Sequence, residues 1–252
     1  MKKTEIIHLI DIGNTSASYA ICRNGQLGTV ESLNYDKIPK KVLKSSKNGL
    51  KSKNIAVIAC VVPEIGRKIK SEIYASSSQI QVCEIGQDIP VSLSNKYKSS
   101  NKLGIDRKIN AYGAMLSHKL PCLVLDYGTA LTCDLVDEKG VFLGGLIIPG
   151  PATALKSLLK QTALLPKVFT IKKESGRPYG RNTNECIQHG IIQAYAAMTD
   201  GLIAKLSEEF TRKPHVIITG GFASFIGKII HSKATINPAH TLQTMLKIYR
   251  QK

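Results

Sequence analysis

Short apolar runs alternate along the chain with longer segments whose apolar residues recur every three or four positions, the pattern of strands interleaved with helices. Ile6 to Ile10 reads as a strand that breaks into the small-residue turn Asp11-Ile12-Gly13-Asn14-Thr15-Ser16, and Ala17 to Cys22 as the returning strand, closed by the hairpin signal Asn24-Gly25. Ile55 to Val62 predicts a buried strand, after which Pro63 opens a helix over Glu64 to Tyr74. Apolar residues at 105, 109, 112 and 116 predict an amphipathic helix from Gly104 to Leu116. A further helix starts at Pro151 with Leu155, Leu158 and Leu159 on one face, and the longest runs from Asn184 to Leu206. His215 to Thr219 predicts a short strand leading through Gly220-Gly221 into a helix over Ala223 to Ile230.

The strand-turn-strand opening recurs. Cys122 to Leu125 is the strand, Asp126-Tyr127-Gly128-Thr129-Ala130-Leu131-Thr132 the turn, and Thr132 to Val136 the return, closed by Asp137-Glu138-Lys139-Gly140. Asp11 matches Asp126, and Gly25 matches Gly140 at the same spacing of fourteen residues. A displacement near half of the 252 residues implies two related halves. The expected division is 1–118 and 119–252, with the boundary near Ser117 to Pro121. Chance recurrence of a common unit is the alternative.

Composition places the chain among ordinary globular proteins, at 43% hydrophobic and 21% charged residues. Its apolar runs are shorter than the roughly 20 residues a membrane span requires, Asp11 interrupts the N-terminal run, and no small-residue cleavage site is evident. A cytoplasmic location with no membrane partner is expected. The six cysteines form no Cys-x-x-Cys pair and read as reduced core residues. Thirty-five basic against eighteen acidic residues leave +17, which suggests an anionic partner. Only seven of the basic residues are arginines, however, and the densest lysine stretch, Lys37 to Lys53, holds no aromatic for base stacking. That stretch reads as a solvated loop, and a nucleic-acid partner is not expected.

The two turns are where chemistry is concentrated. An aspartate at a strand end followed by Gly13, Asn14 and Thr15 can turn amides and a hydroxyl toward a phosphate while the carboxylate holds a hydrated Mg²⁺. Gly13-Asn14 also reads as a plain hairpin turn. Neither a P-loop nor a Gly-x-Gly-x-x-Gly string occurs. Thr219-Gly220-Gly221 adds a third place where backbone can approach a ligand closely.

Asp-x-Gly-Asn-Thr at 11–15, Gly-x-Asp-Arg at 104–107, Asp-x-Gly-Thr-Ala-x-Thr-x-Asp at 126–134, Gly-Gly-x-Ile-x-Pro-Gly at 144–150 and Thr-Gly-Gly at 219–221 stand in the order of one family. The chain resembles the type III pantothenate kinases, of the acetate and sugar kinase/heat-shock protein 70/actin superfamily. Leu155 to Pro166 and Asn182-Thr183-x-Glu185 look like segments of that family too. The resemblance implies an α/β fold of two ribonuclease-H-like domains, mixed sheets flanked by helices, in an actin-like ATPase duplication. It implies ATP-dependent phosphorylation of pantothenate to 4'-phosphopantothenate, the first step of coenzyme A synthesis, by a homodimer using Mg²⁺ and a monovalent cation, K⁺ or ammonium. The alternative is a non-catalytic nucleic-acid-binding or transcription-accessory protein on the same fold.

The resemblance also assigns roles. Asp11, Ile12, Gly13, Asn14, Thr15, Ser16, Ala17 and Ser18 would bind ATP together with Thr129, Asp11 through a hydrated Mg²⁺. Asp126 would hold the monovalent cation. Tyr97, Gly104, Ile105, Asp106, Arg107 and Thr183 would meet pantothenate, and Asp106 would be the general base, since a poised carboxylate can take the hydroxyl proton during phosphoryl transfer. Asp106 equally suits the positive end of a helix, and Thr183 a capping box begun by Asn182. Arg107 fits an anionic substrate better than a helix N-terminus. Asp134 and Asp137 read as turn or surface acids. The family's usual Asn-Pro is Ser99-Ser100 here, which leaves the substrate loop less stiff, and its C-terminal pattern appears as His240 to Met245.

Overall fold

The computed structural model describes residues 5–47, 52–162 and 177–252. The first apolar run forms β1 (Glu5–Ile12), buried along nearly its whole length because both of its faces are covered. It pairs antiparallel with β2 (Ala17–Arg23) and parallel with β5 (Lys53–Cys60), which pairs parallel with β6 (Ile80–Glu84). Two short strands, β3 (Gln26–Leu27) and β4 (Glu31–Leu33), both add to β2. The second sheet repeats this plan. Central β7 (Cys122–Tyr127) pairs antiparallel with β8 (Ala130–Val136), which carries β9 (Phe142–Pro149), while β10 (His215–Thr219) and β11 (Thr235–Ile236) continue in parallel on the other side. Each sheet thus has a central strand, its hairpin partner to one side and two later parallel strands to the other, the two-sheet α/β fold expected. The shared order is what a duplicated unit gives, and we propose 1–118 and 119–252 as its two copies.

Helices cover both faces of both sheets. Helices α1 (Lys37–Lys47) and α2 (Pro63–Ser76) pack Ile38, Val42, Ile69 and Ile73 on one face of the first sheet. The lysine-rich stretch is therefore not the loop expected over 37–47. Ile38 and Val42, one turn apart, are buried while Lys37, Lys40 and Lys44 are exposed, so the stretch is an amphipathic helix whose seam is narrow. The other face holds α7 (His240–Arg250), which returns from the C-terminus and buries Leu242, Met245, Leu246 and Ile248 there, each worth roughly 1.5–3 kcal/mol when fully buried. The last helix is thus well anchored despite its departure from the family pattern. On the second sheet, α5 (Thr183–Ser207) and α6 (Ala223–Ile226) cover one face. The helix expected over 223–230 is a single turn continued by tight turns.

Helix α3 (Ile105–Ser117) lies between the halves. Ile109 joins the core under the first sheet, whereas Ala111 and Ala114 join the one under the second. The stripe expected at 105, 109, 112 and 116 is consequently displaced: Leu116 is exposed, and Arg107, Asn110 and Gly113 are buried, because this helix is enclosed from several sides. Gly113 packs directly against Thr244 of α7, where any larger side chain would collide. Helix α4 (Pro151–Gln161) begins where β9 ends; residues 163–166 of the family-like segment Leu155 to Pro166 lie outside the described residues. No helix among the described residues is long and apolar enough to cross a membrane. All six cysteines are free, and Cys186 differs from the expected core placement in being exposed.

Candidate active site

The two Asp-Gly turns, far apart in sequence, meet in space. Thr15 Oγ1 and Thr129 Oγ1 are 2.9 Å apart, a hydrogen bond between the tips of the turns that follow β1 and β7. Each turn is braced from behind. Gly13 N donates to Ser16 O at 3.1 Å and Tyr35 Oη to Gly13 O at 2.7 Å. The carbonyl of Thr129 accepts from Gly150 N at 3.0 Å and Thr153 Oγ1 at 2.6 Å, so the start of α4 fixes the second turn. Asn14 and Thr15 are exposed at the tip, Gly13, Ser16 and Ser18 are partly exposed, and Ile12 and Ala17 are buried in the core, leaving only their backbone for a ligand.

Behind the hydroxyls three carboxylates converge. Asp11 ends β1, Asp126 ends β7, and Asp106 occupies the first turn of α3. Burial raises Asp11 to about 8, and the charges of Asp106 and Asp126 add to the rise. Burial likewise raises Asp126 to about 6, opposed by a hydrogen bond from Asn110, with Asp106 again adding to the rise. Asp106 Oδ1 accepts from Arg107 N at 2.8 Å, so one oxygen serves the helix end as expected of a first-turn acid; its other oxygen has no hydrogen-bond partner among the described residues. Asp126 Oδ2 accepts from Asn110 Nδ2 at 2.7 Å. Gly220 lies against Asp126 Oδ1 with φ of +91°, a left-handed conformation in a space that a side chain would fill. This brings the expected Thr-Gly-Gly segment into the same cleft.

The Asp11 carboxylate makes no hydrogen bond or ion pair among the described residues, and the neighbouring acids hold its proton affinity up. Gathered carboxylate charge with no paired cation fits a hard metal ion, whose preferred donors are oxygens. Among the described residues no three acids, histidines or cysteines could hold a metal by themselves. A bound Mg²⁺ would therefore complete its shell with water and phosphate oxygens, as Mg²⁺ commonly does.

Arg107 is enclosed in the interior. It is only 6% exposed and pairs with Asp134, which is fully buried: Nε donates to Asp134 Oδ1 at 2.7 Å, and Nη2 lies 2.6 Å from the same oxygen. Asp134 is therefore no turn or surface acid. Burial raises its carboxyl against the opposing pull of Arg107; for Arg107 burial acts to lower the pKa, but the attraction and hydrogen bond of Asp134 together with Tyr97 more than offset it, so that it rises. The guanidinium also stands 5.8 Å from the Tyr97 ring centre and 5.5 Å from that of Phe142. Nη2 is left without a well-aligned hydrogen bond among the described residues, which leaves donor capacity in the interior. Tyr97 reaches this position because its loop is laid along β9, with Lys96 N donating to Phe142 O at 2.8 Å and Phe142 N to Ser94 O at 2.9 Å. Gly104 caps α3, and Ile105 packs into the core of the first half.

Thr183 stands at the first position of α5 and lines an apolar groove of about 380 Å³ with Leu158, Cys186, Ile187, Gly190 and Ile191. No hydrogen bond or ion pair among the described residues ties it to the carboxylates. The helix start is capped: Asn182 Oδ1 accepts from Glu185 N at 3.0 Å, while Glu185 Oε2 accepts from Arg181 N at 2.8 Å, one residue before the cap, so only half of the expected box forms.

The model of the type III pantothenate kinase family matches residues 7–205. A type III pantothenate kinase of Persephonella marina is 30% identical over 254 residues, covering 95% of this chain and 96% of that protein. The chain belongs to the type III pantothenate kinase family. A second type III pantothenate kinase, from Desulfovibrio desulfuricans, is 32% identical over 257 residues and covers 96% of this chain and 95% of its own length. Among solved structures, a putative Baf family transcriptional activator from Campylobacter jejuni superposes with a TM-score of 0.59 at 20% identity, covering 97% of this chain and 98% of that one. Identity this low speaks for the fold alone. For this type III pantothenate kinase family member, two residues near the acids escaped the sequence reading. Asn110 follows Asp106 by four residues and so shares its helix face, a spacing that was available. Asp134 gave no local sign of burial, since its partner lies 27 residues away.

Proposed function

We propose that this chain transfers the γ-phosphoryl group of ATP to the primary hydroxyl of pantothenate, giving 4'-phosphopantothenate and ADP at the start of coenzyme A synthesis. The observation that carries this reading is the meeting of the two Asp-Gly turns at Thr15 and Thr129, with Asp11, Asp106 and Asp126 gathered behind them. Phosphoryl transfer asks a protein chiefly for positioning and electrostatics. Amides and hydroxyls of the first turn, with Thr129 from the second, orient the phosphates. Asp106, with one oxygen spent on Arg107 N, keeps the other to accept the hydroxyl proton of pantothenate.

Arg107, its Nη2 still short of a well-aligned hydrogen bond, meets the pantothenate carboxylate beside Tyr97. Asp11 holds Mg²⁺ through water, and Asp126 holds K⁺ or ammonium. These ions, when bound, offset the negative charge shared by the phosphates and the three acids. Thr183 also meets pantothenate, and the enzyme acts as a homodimer in the cytoplasm. ADP release measured with and without pantothenate, in ATP, Mg²⁺ and K⁺, tests the reading. Pantothenate-dependent release is expected; release indifferent to pantothenate would reject the acceptor.

A further inference from the structure

Asp126 does not stand by itself at the end of its strand. Its Oδ2 is held by the side-chain amide of Asn110, which is 1% exposed, and the other end of that amide, Oδ1, accepts from Thr241 Oγ1 at 2.8 Å. The backbone carbonyl of Asn110 accepts from His240 Nε2 at 2.9 Å. His240 and Thr241 are the first two residues of α7, 130 and 131 positions from Asn110 of α3, and both are buried. The same two helices touch closely at Gly113 and Thr244, which fixes their register.

An amide has two unlike ends. Only with its NH₂ toward Asp126 does Asn110 offer a donor to the carboxylate; turned over, it would set a carbonyl against a carboxylate. The carboxylate, which only accepts, selects the first orientation, and the Thr241 hydroxyl then donates to the Oδ1 left on the far side. On the opposite side Gly220 limits where Asp126 Oδ1 can move. Asp106 lies one helical turn before Asn110, so the element that carries the proposed base also carries the holder of Asp126.

We infer that Asn110 is a positioning residue for Asp126, and that the C-terminal helix, through Thr241, anchors the far end of its amide. The inference rests on the proposed role of Asp126 as a cation-holding carboxylate. It assigns α7 a task beyond covering the first sheet: a helix from the end of the chain aligns a carboxylate of the second sheet with the base on α3. Residues that orient a ligating carboxylate typically cost 10–100-fold in ion affinity or activity when removed.

The test compares Thr241→Val, Thr241→Ser, Asn110→Leu and Asp126→Ala with wild type in two measurements. One is the K⁺ concentration giving half-maximal kinase rate. The other, independent of turnover, is the gain in affinity for a non-hydrolysable ATP analogue when K⁺ replaces Na⁺, by calorimetry. Thr241→Val, close in shape to the native residue, is expected to raise the K⁺ requirement on the order of 10–100-fold and to lose most of the calorimetric gain. Thr241→Ser, which keeps the hydroxyl, should restore both, and Asn110→Leu should match or exceed Thr241→Val. A Thr241→Val protein that melts earlier but keeps the wild-type K⁺ response, while Asp126→Ala loses it, overturns the positioning role alone. A wild type indifferent to K⁺, or an Asp126→Ala protein with a normal response, overturns the reading of Asp126 and this inference with it.

Discussion

Thr15 and Thr129 face each other at 2.9 Å across 114 positions of sequence, and each sits in the turn of its own strand-turn-strand unit. Both side chains are exposed, so the bond itself adds little to stability. Two hydroxyls at the mouth of an acidic cleft instead provide paired donors for a phosphate chain. Replacing either threonine by valine is expected to raise the KM for ATP on the order of 10–100-fold, the equivalent of about 1.5–3 kcal/mol for a hydrogen bond to a charged group. The KM for pantothenate and the melting temperature should stay near wild type. Steady-state kinetics with each substrate varied in turn checks this, and an unchanged KM for ATP in both variants would remove the pair from phosphate binding.

The Arg107–Asp134 pair separates a structural need from a functional one. Asp134→Ala leaves a guanidinium that is only 6% exposed without its counterion, a loss of about 3–5 kcal/mol in comparable buried pairs. For a chain of this size that corresponds to a melting temperature lower by roughly 6–20 °C. The double variant Arg107→Met/Asp134→Leu removes both charges and should recover much of the stability. Pantothenate phosphorylation should stay lost, since the proposed carboxylate contact is gone. Thermal unfolding beside the kinase assay decides: recovered activity in the double variant would show that Arg107 serves the fold alone.

Acidity in the cleft predicts an unusual pH response. Asp11 is held up to about 8 by burial first and by Asp106 and Asp126 next. The folded chain then binds more protons than the unfolded one between the ordinary 3.8 and about 8, so stability of the metal-free and nucleotide-free protein falls as pH rises through that range. Buried His8 and half-buried His118, lowered to about 4, act in the opposite sense below their ordinary 6.5. The informative window is therefore about pH 6.5 to 8. Melting temperature should decline across it in wild type and decline less in Asp11→Asn. Equal slopes in the two proteins would contradict the crowding of carboxylates described for the cleft.

Much of this architecture can be read from local pattern. The two turns announce themselves because an aspartate and a glycine interrupt apolar strands at matched places, and Pro63 and Pro151 mark helix starts that the fold keeps. What could not be read depends on partners distant in sequence. Helix α1 is obscured because its seam is narrow, Ile38 and Val42 with Leu43 beside them amid lysines. Asp134 looks like any acid near a turn until Arg107 is brought to it from α3. The link from Thr241 through Asn110 to Asp126 joins three elements, and none of the three segments signals the others. Burial on α3 follows from its enclosure by both halves and α7, which a single-helix periodicity cannot express.

Mass-spectrometric detection of 4'-phosphopantothenate, formed from pantothenate and ATP with Mg²⁺ and K⁺ by purified wild type and by Asp106→Asn, tests the central claim most directly. The amide matches the carboxylate in shape yet cannot take the hydroxyl proton, and loss of a general base typically lowers the rate by about 10²–10⁴. The expected result is steady product with wild type and a fall of that size in a variant with a wild-type melting profile. No product from the folded wild-type protein, or near wild-type turnover by a folded Asp106→Asn, would contradict it.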